Sequence, residues 1–144
     1  MYLYTTNIEN LEVKNNIFSD NKYFQIGCSG DYEKEDFQAK NINIEYNLIF
    51  NRDESITYPV YLEEWAKDYV YGMNGNNAVV GDPLFENAVI GDFSLQSSSP
   101  AINAGIPEQN YNDADSSRND IGAIYDGKKQ DFWWLTNFPP KIEA

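Results

Sequence analysis

Asn10-Leu11-Glu12-Val13-Lys14-Asn15-Asn16-Ile17-Phe18 recurs further along the chain as Asn41-Ile42-Asn43-Ile44-Glu45-Tyr46-Asn47-Leu48-Ile49-Phe50. The two copies keep one spacing: 31 residues separate Asn10 from Asn41 and Asn16 from Asn47. Each copy alternates apolar and polar residues (Leu11, Val13; Ile42, Ile44), the period of a strand with one buried face. Each then reaches Asn followed by an apolar pair, where the chain is expected to turn a corner and begin another strand. A single coil of this size cannot bury its own apolar face, so short strands at such a period indicate stacked coils. Asn16 and Asn47, one above the other, are expected to form an internal ladder, their amides bonding each other and the turn backbone.

Working outward, a further short strand is expected after each copy, at Tyr23 to Cys28 and at Ser55 to Leu62. Ser29 to Gln38 is polar and charged and reads as a loop bulging from the stack. A second excursion, residues 63–76, carries apolar residues at 65, 66, 69 and 70, the spacing of a short helix or turn ended by Gly72. Asn77-Ala78-Val79-Val80-Gly81 resumes the stack. Pro83 fixes φ and lacks a donor, which suits a corner. Phe93-Ser94-Leu95 reads as a strand and Ser97 to Pro100 as a turn, with Ala101 and Ile102 packing onto the open end. Gly105 is expected at positive φ, and Asp120 to Tyr125 as a returning strand. The apolar tail Phe132-Trp133-Trp134-Leu135 is expected to fold back over a groove or the last coil, or else to offer an aromatic platform for sugar. The whole reads as one domain, with coils over 1–96, excursions at 29–38 and 63–76, and a cap and tail over 97–144.

Composition agrees with strands and turns. Of 144 residues 42% are hydrophobic, including 11 Tyr, 8 Phe and 3 Trp, which is enough apolar material for a core. A formal net charge of −13 repels phosphate backbones and anionic lipid, which argues against nucleic acid as a partner. With no histidine and one cysteine (Cys28), an internal disulfide, Ser-His-Asp or Cys-His catalysis and a histidine-ligated metal are excluded within the chain. No run of about 18 apolar residues is present, so no membrane insertion by a helix is expected. Met1 leads straight into Tyr2-Leu3-Tyr4 without a basic region or an apolar signal core, which reads as a signal already removed or as a piece of a longer chain.

Four motifs follow one another in the last third: Gly81-Asp82-Pro83-Leu84-Phe85, Gly91-Asp92-Phe93-Ser94-Leu95, Ser98-Ser99-Pro100-Ala101-Ile102-Asn103-Ala104-Gly105 and Asp120-Ile121-Gly122-Ala123-Ile124-Tyr125. In this order they resemble the C-terminal region of secreted bacterial right-handed parallel β-helix proteins, which are pectate-lyase-like. The resemblance implies an all-β fold, a short right-handed parallel β-helix with a C-terminal cap, a secreted or cell-surface location and a polysaccharide partner. It also places the chemistry of related enzymes outside this region. The chain departs from the pattern at Asp126, where the last motif commonly ends in Tyr-Glu, and in its Trp-rich tail.

Three sets of residues carry candidate chemistry. Tyr32, Tyr58, Tyr61, Trp65, Tyr69 and Tyr71 lie in or near the two excursions. Flat rings there would stack on sugar faces, and the plainer reading is that they cover the flanks of the coils. Asp113, Asp115, Ser117 and Asp120 alternate oxygen donors as a calcium loop does. An EF-hand would need glycine at position 118 and glutamate at position 124, where this chain has Arg118 and Ile124. The resemblance implies instead that Arg118 pairs with Asp115 or Asp120 and pins the loop to the cap. Glu12 and Glu45 are a candidate surface carboxylate pair for glycoside hydrolysis, and Lys14 or Arg52 a candidate base for a lyase; ordinary solvation is the plainer reading of all four. The leading expectation is a non-catalytic, glycan-binding C-terminal part of a carbohydrate-associated protein. The alternatives are a fragment of a polysaccharide lyase or glycoside hydrolase whose catalytic coils are missing, and an assembly or adhesion module forming a homo-oligomer through its open N-terminal coil.

Overall fold

The computed structural model describes residues 2–3, 9–22, 25–28, 42–53, 60–62, 70–71 and 77–122. Apolar–polar alternation without helix formers becomes strand, and the fold is all-β, with eleven short strands and no α-helix among the described residues. They are β1 (Tyr2–Leu3), β2 (Glu12–Lys14), β3 (Ile17–Ser19), β4 (Ile26–Cys28), β5 (Ile42–Glu45), β6 (Leu48–Phe50), β7 (Val60–Leu62), β8 (Val70–Tyr71), β9 (Val79–Val80), β10 (Phe85–Asn87) and β11 (Asp92–Leu95). The first nine make three parallel sheets, ordered β1-β4-β7, β2-β5-β8 and β3-β6-β9, so each strand pairs with the third one along. The repeat sets the register. Glu12 lies beside Asn43, Val13 beside Ile44 and Lys14 beside Glu45, then Ile17 beside Leu48 and Phe18 beside Ile49. Leu48 and Ile49 in turn lie beside Val79 and Val80.

The corner between the two strands of each repeat copy is one residue in the left-handed region, Asn15 (φ 57°) and Tyr46 (φ 54°). Asn tolerates that conformation and Tyr gains nothing from it locally, so tertiary contacts hold Tyr46 there. Its carbonyl accepts the Asn15 N–H at 3.0 Å, and the Arg118 guanidinium lies over its ring at 5.8 Å. Behind the corner the Asn ladder forms. Asn47 is buried. Its Oδ1 accepts from the Asn16 N–H (2.9 Å) and Nδ2 (3.2 Å), and its own Nδ2 donates to Val13 O (2.7 Å) and Glu45 O (3.1 Å).

Leu48 and Ile49 are consecutive in one strand and both fully buried, so the β3-β6-β9 sheet is covered on both faces at its centre. One column of that sheet, Ile17, Leu48 and Val79, packs with Leu95, Ala101 and Ile121. The segment 95–122 therefore lies along the flank of three successive strands, and the expectation that Ala101 and Ile102 sit on the open end is corrected. One bond to a side chain and one to the backbone carry the segment back to the first corner: the Ile106 N–H donates to Asn15 Oδ1 (3.0 Å) and the Gly122 N–H to Asn15 O (2.9 Å). The other column, Phe18, Ile49 and Val80, ends at Val80, which is 77% exposed. The last rung is thus open to water there, not shielded.

Beyond β9 the chain leaves the parallel pattern. Asp82 Oδ1 accepts the Leu84 N–H (2.9 Å) and forces Leu84 to φ 51°, which makes the corner at buried Pro83. The Ser99 hydroxyl closes it by donating to Pro83 O at 2.6 Å. β10 and β11 then form an antiparallel hairpin with a register shift, joined by a 3-10 turn at Ala88–Ile90 and a left-handed Gly91 (φ 82°).

Three further expectations are revised by the structure. Gly105 is not left-handed; a Cβ there would come within 2.7 Å of Asn119 O and 2.5 Å of its Nδ2, so close approach is what requires glycine. Gly122 holds the positive φ (121°) instead. Residues 70–71, at the end of the helical spacing, are strand β8, paired with Ile42 and Asn43. Asp120–Gly122 carry no strand. The excursion 29–38, residues 63–69 of the second excursion and the Trp-rich tail lie outside the described residues.

Candidate functional site

Of the six candidate aromatics, Tyr32, Tyr58, Trp65 and Tyr69 lie outside the described residues. The backbones of Tyr61 and Tyr71 lie in β7 and β8, in register with Gly27 and Asn43. Of these six, therefore, only the strand positions of Tyr61 and Tyr71 are fixed among the described residues.

The acidic loop folds on itself. Asp115 Oδ1 accepts the Ser117 hydroxyl (2.6 Å) and N–H (2.8 Å), and those two bonds hold its carboxyl below the usual range. Asp113 Oδ2 accepts the Asp120 N–H (3.2 Å), and Asp120 Oδ1 accepts the Asn103 N–H (2.8 Å). Burial raises the Asp113 pKa, and the charge of Asp120 raises it further. These carboxylates serve as turn and strap acceptors, and among the described residues no group of three or more His, Cys, Asp or Glu is arranged to hold a metal ion. Arg118 does pin the loop, but not through a carboxylate. Its Nε donates to Gly105 O (2.6 Å) and its Nη2 to Ala104 O (3.1 Å), with Tyr46 beneath. A planar fork matched to two backbone carbonyls is a use that the neighbouring aspartates hid in the sequence.

On the outer positions of β2 and β5, Lys14 Nζ stands 3.2 Å from Glu12 and 3.2 Å from Glu45. Glu45 also accepts from Asn43 Nδ2 (2.9 Å) and Asn77 Nδ2 (3.3 Å). Burial alone would lower the Lys14 pKa, yet hydrogen bonds and charge from the two glutamates outweigh it and raise the pKa. A lysine held protonated is a poor proton acceptor, and the two carboxylates flank a cation rather than an open space for a glycosidic bond.

Between the corner at the end of β3 and the β10–β11 hairpin lies a cleft of about 540 Å³. Arg52 pairs with Asp20 at its rim, Nη2 to Oδ2 at 3.4 Å, and the Arg52 N–H donates to Asp20 Oδ1 at 2.8 Å. On the hairpin side Phe85 and Phe93 meet edge to face at 5.2 Å. The cleft is not legible in the sequence because Asp20 and Arg52 lie more than thirty positions from Phe85 and Phe93 in the chain; the signal was the pair of phenylalanines flanking Gly91. Comparison with known proteins gives no match to a family model, to a curated protein or to a solved structure.

Proposed function

We propose that this chain is a stretch of right-handed parallel β-helix from a secreted or cell-surface, carbohydrate-associated protein, and that it binds glycan without catalysing its cleavage. The observation that carries the reading is the pairing rule: strand joins third strand in parallel, three times around, in the register of the sequence repeat. That rule is what a coiled path of three-strand turns requires, and the left-handed corners at Asn15 and Tyr46 and the Asn16–Asn47 ladder recur in step with it. The four C-terminal motifs supply the link to pectate-lyase-like proteins.

The non-catalytic half rests on the cations. Lys14 lies between two glutamates, Arg52 is paired with Asp20 and Arg118 is spent on backbone carbonyls. Among the described residues, none of these three stands as a free base beside a site for a uronate carboxylate.

Two measurements on the full chain test the proposal. Incubation with uronate polymers is expected to release no unsaturated product by ultraviolet absorbance. A glycan array, run with calcium and with chelator, is expected to give saccharide binding. Product formation would replace the binding role with a lyase, and an array blank in both conditions would remove the carbohydrate reading.

A further inference from the structure

We infer that the cleft between the Asp20–Arg52 corner and the β10–β11 hairpin is a binding site for a neutral saccharide, with Phe93 as its stacking platform. The inference rests on the carbohydrate reading proposed above and gives it a place and a ligand class.

The two walls differ in kind. The hairpin wall is apolar: Phe93 is 48% exposed, and the edge-to-face contact with Phe85 (interplanar angle 81°) fixes its ring without covering it. The facing wall is polar and organised. Arg52 has a side chain that is 74% exposed, tethered by Asp20 and lying over the Phe50 ring at 5.9 Å. Among the described residues its Nε and Nη1 donate to no protein group. Asp82 uses Oδ1 for the Leu84 N–H, which leaves Oδ2 as an acceptor. Gln96, directly after β11, donates to Phe85 O (3.1 Å) and adds a polar group to the lining from the hairpin side. One apolar wall opposite fixed donors and acceptors suits a ligand with a C–H face and hydroxyls around its edge.

Charge narrows the class. Two carboxylates and one guanidinium line the cleft, and the chain carries a net charge of −13, so an anionic ligand is repelled. A purely apolar ligand would strip water from Arg52 and Asp82 without replacing its hydrogen bonds. A cation would find Asp20 already paired and Arg52 beside it. A polyhydroxylated neutral ring both donates to Asp82 and accepts from Arg52.

The experiment is a titration of the full chain with neutral cello-, manno- and xylo-oligosaccharides, with oligogalacturonate as the charged comparison, read by calorimetry. A neutral oligosaccharide is expected to bind. Phe93→Ala and Arg52→Gln are each expected to weaken binding roughly tenfold, the size of one aromatic or charge-assisted contact. Phe93→Tyr is expected to retain it, and Tyr111→Ala, which removes an exposed ring outside the cleft, to leave it unchanged. Should Phe93→Ala lose its fold, Arg52→Gln decides, since that side chain projects into solvent. Binding that survives both substitutions overturns this site while leaving the carbohydrate reading intact. Preference for oligogalacturonate overturns the neutral class, and absence of all binding overturns the site and the broader reading together.

Discussion

Replacing Asn47 by alanine tests whether the amide ladder holds the corner. Asn47 is 2% exposed and makes four hydrogen bonds, as acceptor from Asn16 N–H and Nδ2 and as donor to Val13 O and Glu45 O. Alanine leaves three main-chain groups, the Asn16 N–H and the Val13 and Glu45 carbonyls, without these partners, the bond to Val13 O being buried and the other two part-buried. A buried orphan costs about 1–3 kcal/mol, so the loss is about 3 kcal/mol or somewhat more, and roughly 10 °C in Tm for a domain of this length. Asn16→Ala is the control. Asn16 is exposed and its side chain gives up only the bonds to Lys14 O (2.8 Å) and Asn47 Oδ1 (3.2 Å), a loss of about 1 kcal/mol. Asn47→Asp keeps the acceptor, loses both donors and sets a carboxylate against two carbonyls, so it is expected to be at least as damaging as alanine. Urea unfolding followed by circular dichroism gives the three values, and the double variant gives the coupling between the two amides. Equal losses for Asn47→Ala and Asn16→Ala, or an unharmed Asn47→Asp, would refute the reasoning.

Three further outcomes are expected. Gly105→Ala should destabilise by about 1–3 kcal/mol through overpacking, because the new Cβ meets Asn119 O, which is backbone; Gly105→Asn should be worse in thermal melts, whereas a left-handed position would favour Asn over Ala. Arg118→Lys should lose one of the two carbonyl bonds, about 1–2 kcal/mol, and raise amide exchange at Ile106 and Gly122, the groups that tie the segment to Asn15. Asp113, whose pKa is raised by burial and then by Asp120, opposes folding increasingly as pH rises from the usual carboxylate range through its folded value. Asp113→Asn should therefore be the more stable protein at neutral pH and match the original at low pH. Asp115 has the opposite sign. Its pKa is lowered by Ser117, so its stabilisation is present at neutral pH and lost as pH falls through the folded value, and Asp115→Asn should lose that acid dependence in a pH series of melts.

Much of the parallel pairing was legible because it depends on information that repeats. Alternation assigned Val13 and Ile44 to one face, and equal spacing alone aligned Glu12 with Asn43 and Asn16 with Asn47; both alignments appear in the observed register. The resumption of the stack at Val79–Val80 was equally readable, since it falls one more repeat beyond Leu48–Ile49. The candidate sites were far less legible. A tyrosine or an aspartate in a loop carries no mark of its partner, so Arg118 was assigned to carboxylates when its fork fits carbonyls, and Lys14 gave no sign of being closed in by Glu45 from the next copy.

The chain by itself determined the repeat and the strands within it, because these follow from residue type and spacing within a few positions or one period. Tertiary structure alone decided where the non-repeating third goes. Its course along the flank of β3, β6 and β9 is set by contacts such as Ile106 with Asn15, 91 positions apart, and by shape at Gly105 against Asn119. Such contacts depend on which surfaces come together, and no local pattern encodes that. The cleft exists for the same reason: Arg52 and Phe93 acquire a common purpose only once the hairpin is laid beside the corner.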